Sequence, residues 1–486
     1  MVPPRLIFFA VSLTSVFASK AVDQTYIITC RHDANAPGLC REFELKAGHH
    51  YQHALNGFSA VLNSNQVARL LRDKRVAAVE PDGFVQPCLQ TIPAGVVRMG
   101  IPQFPISRIT GQDRRIDVDV AVIDTGIQLD HPDLNVVQGV DIPGHGTGGN
   151  DTQGHGTHMA GTIGALDNDI GVVGVAHGAR LWAVNIYGTN AVAPYSDVIA
   201  GMDYVAQHSD QIAVANCSFA SRSSAAPLVA LRNAFSNVVS HGVVIVAAVG
   251  NEGADFSGNN GILGDADDIL PAALPEVMAV SSIDPATDIF DWPQGYCVRI
   301  RPDTFVHSPG SGIDVAAPGV NILSTWIGNG YLMGSGTSAA CAHGSGLVAL
   351  YIAANGRAHS AQGVYAIRQK IVDNGLPQPA WISSRGPGYN YYAFDADSNP
   401  EPMAIASESW IPAPKIVSQS NTLSGFALNF RTVPGYRYTL QSAESLSVSN
   451  QWTDHTLTNG TGHVVTLGDS APGTNRFYRI KREPAP

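Results

Sequence analysis

Three short segments carry side chains suited to nucleophilic hydrolysis. Val120-Ala-Val-Ile-Asp-Thr-Gly126 is an apolar run that ends on Asp124, and Gly154-His-Gly-Thr-His158 presents His155. Gly336-Thr-Ser-Ala339 sets Ser338 after two small residues and before an apolar, helix-like run to Ala353. A protonated serine hydroxyl is a weak nucleophile and needs a base within hydrogen-bond reach. That base needs a carboxylate to hold its tautomer and to stabilise the imidazolium that forms. Ser338, His155 and Asp124 have the residue types for these roles. A fourth segment, Val243-Val-Ile-Val-Ala-Ala-Val-Gly-Asn251, ends a buried strand on an amide that can donate to an oxyanion. His145-Gly-Thr147 repeats part of the histidine segment, but without the second histidine or a following helix, and it reads as a loop residue.

Positioning these groups requires a scaffold. Between about residues 90 and 397, short Val/Ile/Ala-rich runs alternate with helical stretches. Strands are predicted at 119–123, 181–185, 212–216, 243–249 and 277–281, and helices at 155–166, 196–206, 226–241 and 338–355. Continuous apolar strands between helices imply an α/β fold with a mainly parallel sheet covered by helices on both faces. Working residues of such sheets lie at the carboxyl ends of strands and at the starts of the following helices. Asp124, Asn251, His155 and Ser338 all fall at such places.

Taken in order, the four segments resemble the subtilisin-like serine proteases, or subtilases. The resemblance implies that Asp124, His155 and Ser338 form the catalytic triad, with Asn251 in the oxyanion hole. His158 and His343 would then be structural helix residues. It also implies that Asn216-Cys-Ser-Phe-Ala220 pairs with an extended peptide through Ser218, Phe219 and Ala220. Ala248, Val249 and Gly250 would line the pocket for the residue preceding the scissile bond. A structural calcium is implied at Gln90, Asp133, Leu166, Asn168, Ile170 and Val172, an all-oxygen ligand set; no catalytic cofactor is implied. Residues 22–89 resemble the inhibitory propeptide of the family. They read as strands at 25–30, 55–62 and 76–82 with a helix at 64–73, and the expected role is that of an intramolecular inhibitor. With Gln90 as a ligand, maturation is expected after Leu89 or a residue or two upstream.

Composition agrees with a compact, Gly-rich globular protein. The chain has 486 residues, 44% hydrophobic and only 14% charged, with a net charge of −11 and no basic run, which disfavours nucleic-acid partners. Arg5, the apolar stretch Leu6–Phe17 and Ala18-Ser-Lys-Ala21 form a signal-peptide pattern over residues 1–21, too short to span a membrane. The expected product is secreted and monomeric. Six cysteines fit an oxidising compartment, and Cys30 and Cys40 are close enough in sequence to pair locally. Cys341 reads as a small buried hydrophobe. Residues 398–414 read as a Pro-rich linker, and 415–486, with alternating strand patterns, as a C-terminal β-sandwich accessory domain.

Five features depart from the family pattern. Ala339 replaces a methionine and implies peroxide tolerance. Ala342 replaces a proline after the nucleophile, which raises a ligase or narrow processing activity as an alternative to general hydrolysis. Ala220-Ser221 stands for a Gly-Gly pair, and the segment 190–194 lacks the glycines of the opposite wall. Val249, where alanine is usual, is expected to restrict the pocket. A catalytically silent binding scaffold is the alternative outside enzymology, disfavoured because all four catalytic residues are present.

Overall fold

A computed structural model describes residues 24–82, 90–188, 192–221, 228–251, 268–286, 312–377, 401–411, 413–422, 425–433, 435–444, 452–470 and 476–485. The signal-peptide pattern, the maturation junction at Cys88-Leu89, Asn190-Ala191, Cys297, the insertion at 290–310 and residues 378–397 lie outside the described residues. The chain divides into two compact units, 1–87 and 88–486.

In the first unit, β1 (Gln24–Cys30) is central, antiparallel to β3 (Gly57–Leu62) and β4 (Val76–Pro81), and β2 (Ala47–Tyr51) adds to β3. Helices α1 (Ala36–Glu42) and α2 (Ser64–Leu70) complete it. The second helix starts at a capping box, in which Asn63 accepts from Gln66 N–H and Gln66 Oε1 accepts from Asn63 N–H. Ile28, Leu39, Phe58, Leu62 and Leu70 form its core. Helix α1 and strand β2 escaped the sequence reading. β2 is largely exposed, with no apolar alternation to betray it. Cys30 and Cys40 are not bonded to each other: both are buried free thiols, and Cys40 Sγ donates to Leu45 O at 3.1 Å.

The second unit opens with the short helix α3 (Ala94–Arg98) and is built on a seven-stranded sheet among the described residues, every pair parallel. Its strands are β5 (Asp119–Asp124), β6 (Val136–Asp141), β7 (Arg180–Asn185), β8 (Ile212–Cys217), β9 (Val244–Ala248), β10 (Met278–Ile283) and β11 (Val315–Pro318), in the order β11-β10-β9-β8-β5-β7-β6. Strands β5, β8, β9 and β10 are buried along their whole length, which is why they read as unbroken apolar runs. Helices α4 (His155–Gly164), α5 (Tyr195–Gln207), α6 (Leu228–Ser240), α7 (Thr337–Asn355) and α8 (Ala361–Asp373) cover the sheet. Small residues set the close approaches: Gly201 of α5 lies against Ile186 and Val184, and Gly344 of α7 against Val246 and Val280. A hairpin of β12 (Ile322–Trp326) and β13 (Gly330–Gly334) precedes α7. His158 ties α4 to it, with Nε2 lying 3.1 Å from the carbonyl oxygens of Ile322 and Leu332.

The C-terminal strands β14 (Lys415–Thr422), β15 (Gly425–Arg431), β16 (Tyr436–Ala443), β17 (Thr453–Asn459), β18 (Val464–Asp469) and β19 (Phe477–Pro484) form two three-stranded antiparallel sheets, β14-β15-β18 and β17-β16-β19. Phe426, Leu428 and Phe430 alternate with half-buried residues along β15, and Phe430 meets Tyr438 across the sandwich at 5.4 Å between ring centroids. These strands do not stand alone. Their core is continuous with that of the parallel sheet, and the predicted linker is part of the join. Met403 pairs with Ala316 and Leu376, and the buried Trp410 contacts Phe104 and Tyr351 edge-on, at 5.9 and 5.5 Å. The prolines there signalled a break in regular structure, whereas the apolar residues between them set the packing.

Candidate active site

Asp124 ends the interior strand β5 and is almost wholly buried. Its Oδ1 accepts from Thr125 N–H at 2.7 Å and lies 2.7 Å from Nδ1 of His155, the first residue of α4. Two glycines make that approach available. Gly154 has φ +102°, and a Cβ there would run into the Trp326 indole at 2.4 Å. At Gly156 a Cβ would meet Gly126 O at 2.0 Å, so α4 packs directly on the turn after Asp124. The half-exposed imidazole is held above the ordinary histidine pKa, chiefly by the Asp124 carboxylate against the opposing effect of burial. Nδ1–H to carboxylate leaves Nε2 as the ring's proton acceptor.

Asp151 was not singled out from the sequence, yet it organises this turn. Buried, it accepts from Thr125 Oγ1, Gln153 N–H and Gly154 N–H on one oxygen, and from Thr157 N–H and Oγ1 on the other. Thr125 Oγ1 in turn accepts from Gly156 N–H at 2.9 Å. The polar composition of 151–153 was the available signal, and only the folded turn shows that one carboxylate collects five donors.

Ser338 is the second residue of α7, and among the described residues its N–H has no partner, as expected in a first helical turn. Its hydroxyl donates to Ser218 O at 3.0 Å rather than to His155, and Ser218 Oγ donates to Ser338 O at 2.9 Å. Beneath lies a buried polar network. Asn216 donates to Ser218 Oγ at 2.8 Å and accepts from Ser345 Oγ at 2.9 Å and from Cys341 Sγ at 3.2 Å. Cys341 is therefore a donor in the network as well as a small core residue, and burial pushes its thiol up to about 12. Asn251 Oδ1 accepts from Thr337 N–H and from Thr337 Oγ1, each at 2.9 Å, which turns the amide nitrogen outward.

Thr125, Gln153, His155, Tyr187, Ser218, Phe219, Ala220, Ser221, Ala248, Gly250, Asn251, Ile269, Thr337 and Ser338 line one cleft. All four segments singled out in the sequence thus supply groups to a common cavity, the first through Thr125, and Asp124 reaches it through His155. Val249 does not line it. The period of two along the chain turns Ala248 and Gly250 toward the cleft and Val249 into the core, where it is fully buried. Tyr187 and Ile269 were missed because each follows or precedes a strand with no recognisable motif.

The residues expected to bind calcium also converge. Buried Asp133 accepts from Val172 N–H at 3.1 Å through Oδ2, while Oδ1 makes no hydrogen bond among the described residues. Burial raises its carboxyl to about 7. The Gln90 amide sits between Leu166 O and Val172 O, at 2.5 and 3.1 Å, and Asn168 Oδ1 accepts from Ile170 N–H at 3.1 Å. An orphaned buried carboxylate oxygen beside two carbonyls and two side-chain amides is a donor set that fits a hard cation.

Residues 116–389 match the peptidase S8, or subtilase, family, and residues 25–87 match the peptidase inhibitor I9 family. The chain is a subtilase. Subtilisin E of Bacillus subtilis (strain 168) is 35% identical over 299 residues, 61% of this chain and 71% of that protein. M-protease of Shouchella clausii (strain KSM-K16) is 34% identical over 310 residues, 64% of this chain and 72% of its own length. Among solved structures, a cold adapted subtilisin-like serine proteinase aligns with a TM-score of 0.40 at 28% identity, covering 53% of this chain and 82% of that one. This subtilase is a serine endopeptidase with an I9-type propeptide. A catalytically silent scaffold is set aside on that ground.

Proposed function

We propose that this subtilase is a secreted endopeptidase, made as a self-processing zymogen, that cleaves peptide bonds through Asp124, His155 and Ser338. The observation that carries the reading is the 2.7 Å contact of His155 with buried Asp124 in the cleft that also holds Ser338. An extended peptide lies along Ser218–Ala220, with Ala248 and Gly250 facing the side chain before the scissile bond. The Ser338 hydroxyl leaves the Ser218 carbonyl, gives its proton to His155 Nε2 and attacks the substrate carbonyl. Asp124 stabilises the imidazolium. The Asn251 amide and the Ser338 N–H donate to the developing oxyanion, and the Thr337 anchor holds that amide in place before substrate arrives. His155 then returns the proton to the leaving amine, and a water releases the acyl group by the same route.

Calcium, in this reading, is held by Asp133, Gln90, Asn168 and the carbonyls of Leu166, Ile170 and Val172. Either end of an amide can face a partner after a half-turn, so Gln90 can present Oε1 there. When bound, the ion supplies structural cross-linking of the segment at residue 90 to the loop at 166–172. Residues 1–21 serve as the export signal, 22–89 as the inhibitory propeptide and 90–397 as the catalytic domain, followed by the 398–414 junction and the 415–486 sandwich.

The test is the mass and N-terminal sequence of the exported protein beside a Ser338→Ala version. Wild type is expected to begin close to Gln90 and the variant to retain its propeptide. If both remain full length, self-processing through Ser338 is wrong.

A further inference from the structure

The cleft has a recess beside Ser338 whose size follows from four residues, Ala220, Ala248, Gly250 and Ile269. A carbon placed where Gly250 would bear a Cβ lies 3.5 Å from Ala220 Cβ and 3.5 Å from Ile269 Cγ2. These are ordinary van der Waals separations, so the space over Gly250 between the two walls is about one carbon wide. Ala248 and Ile269 are 1% and 3% exposed, so both are packed from behind.

The backbone fixes the spacing of the walls. Ser221 N–H donates to Leu270 O at 2.8 Å, and Leu270 N–H donates to Ser221 O at 2.9 Å. This two-bond bridge links the residue after Ala220 to the residue after Ile269. Ala273 N–H donates to Ile269 O at 2.9 Å, and Tyr195 Oη lies 2.7 Å from Ser221 Oγ on the outer side. Ile269 is β-branched, so its χ1 is stiff and the side chain has little freedom to swing aside. Opening the recess would require breaking the bridge or forcing an unfavourable rotamer.

We propose that this recess admits only a small side chain (Gly, Ala, Ser or Cys) on the acyl side of the scissile bond, and that Ile269 sets its width. The inference rests on the reading of the cleft as a peptide site with Ser338 as nucleophile.

The experiment uses the matured protein and tetrapeptide anilides that differ only in the residue before the anilide: Ala, Leu, Phe, Arg or Glu. Active enzyme is counted independently by fluorophosphonate labelling of Ser338. The expected result is a kcat/KM for Ala at least about 100-fold above those for Phe, Arg and Glu. Ile269→Gly is expected to raise the Phe-to-Ala ratio at least about tenfold. Ala220→Gly, which opens the opposite wall, should move it the same way, so the result does not hang on one variant folding. Labelled wild type that cleaves after Phe or Leu about as well as after Ala would overturn the proposal, as would folded, labelled variants with an unchanged ratio. If Ser338 takes no label and no anilide is cleaved, the catalytic reading itself fails and the proposal with it.

Discussion

Asn251 Oδ1 accepts two hydrogen bonds from Thr337, one from the backbone N–H and one from the hydroxyl, each 2.9 Å long. The residue before the nucleophile thereby orients the amide that meets the oxyanion. Asn251→Leu is expected to lower kcat by about 100- to 1,000-fold with little change in KM, the magnitude known for loss of an oxyanion donor in subtilisins. Thr337→Ala keeps the N–H and should cost less, about tenfold in kcat. Steady-state kinetics normalised to labelled Ser338 separates these outcomes from misfolding.

The pH profile follows from His155. Its pKa is raised by Asp124, and catalysis needs the neutral ring, so kcat/KM should rise with pH through a midpoint above the ordinary histidine value. Asp124→Asn removes the chief cause and should shift that midpoint down, with kcat lowered by about 10⁴-fold. Titration of His155 by NMR in a Ser338→Ala background checks the shift without relying on residual activity.

Stability carries its own pH signature. His158 and His343 are buried and neutral, with pKa values lowered to about 4 by burial. Below about 6.5 the unfolded chain takes up protons that the folded form refuses. Stability from these two groups is therefore complete above pH 6.5 and declines as pH falls toward 4, by up to about 3 kcal/mol for each histidine. Urea midpoints of the Ser338→Ala protein at pH 7 and pH 5 measure it, and His343→Gln should flatten the dependence.

Beneath the nucleophile, Cys341 and Ser345 both donate to Asn216, which passes the constraint to Ser218 and so to Ser338. Cys341→Ser keeps a donor and should keep most of the activity. Cys341→Val fills the space without a donor and should lower kcat about tenfold at unchanged KM. With its thiol pushed up to about 12 and fully buried, native Cys341 should also resist iodoacetamide at pH 8, read by peptide mass mapping.

At the maturation junction the sequence runs Gln86-Pro-Cys-Leu-Gln90. A recess limited to small side chains selects Cys88 over Leu89 as the residue before the cut, so the mature chain should start at Leu89. Cys88→Phe should slow maturation by at least about tenfold, followed by mass spectrometry over time. At the other end of the same segment, chelation of calcium should lower Tm by several degrees, the equivalent of about 3–4 kcal/mol when the ion is 100–1,000 times above its Kd. Asp133→Asn should abolish that difference.

Much of this protein was written in local sequence. The buried strands β5, β8, β9 and β10 declared themselves as apolar runs because both faces of a parallel sheet are covered. The Asp124, His155, Ser338 and Asn251 segments were legible because their glycines and small residues answer to close backbone approaches, as at Gly154 and Gly156. The chemistry of each residue type did the rest. What the tertiary structure alone decided is how distant segments meet. Asp151 gathers five donors, Cys341 joins a polar network, and Ile269 crosses to face Ala220 over Gly250. The junction at 401–411 packs into the core because Met403 and Trp410 find apolar partners far away in sequence. Val249 turned inward by the alternation of its strand, against the expectation from motif position. A strand's period or a helix's cap is set within a few residues. Hydrogen-bond satisfaction and the width of a recess depend on contacts between segments tens to hundreds of residues apart, and no local pattern encodes them.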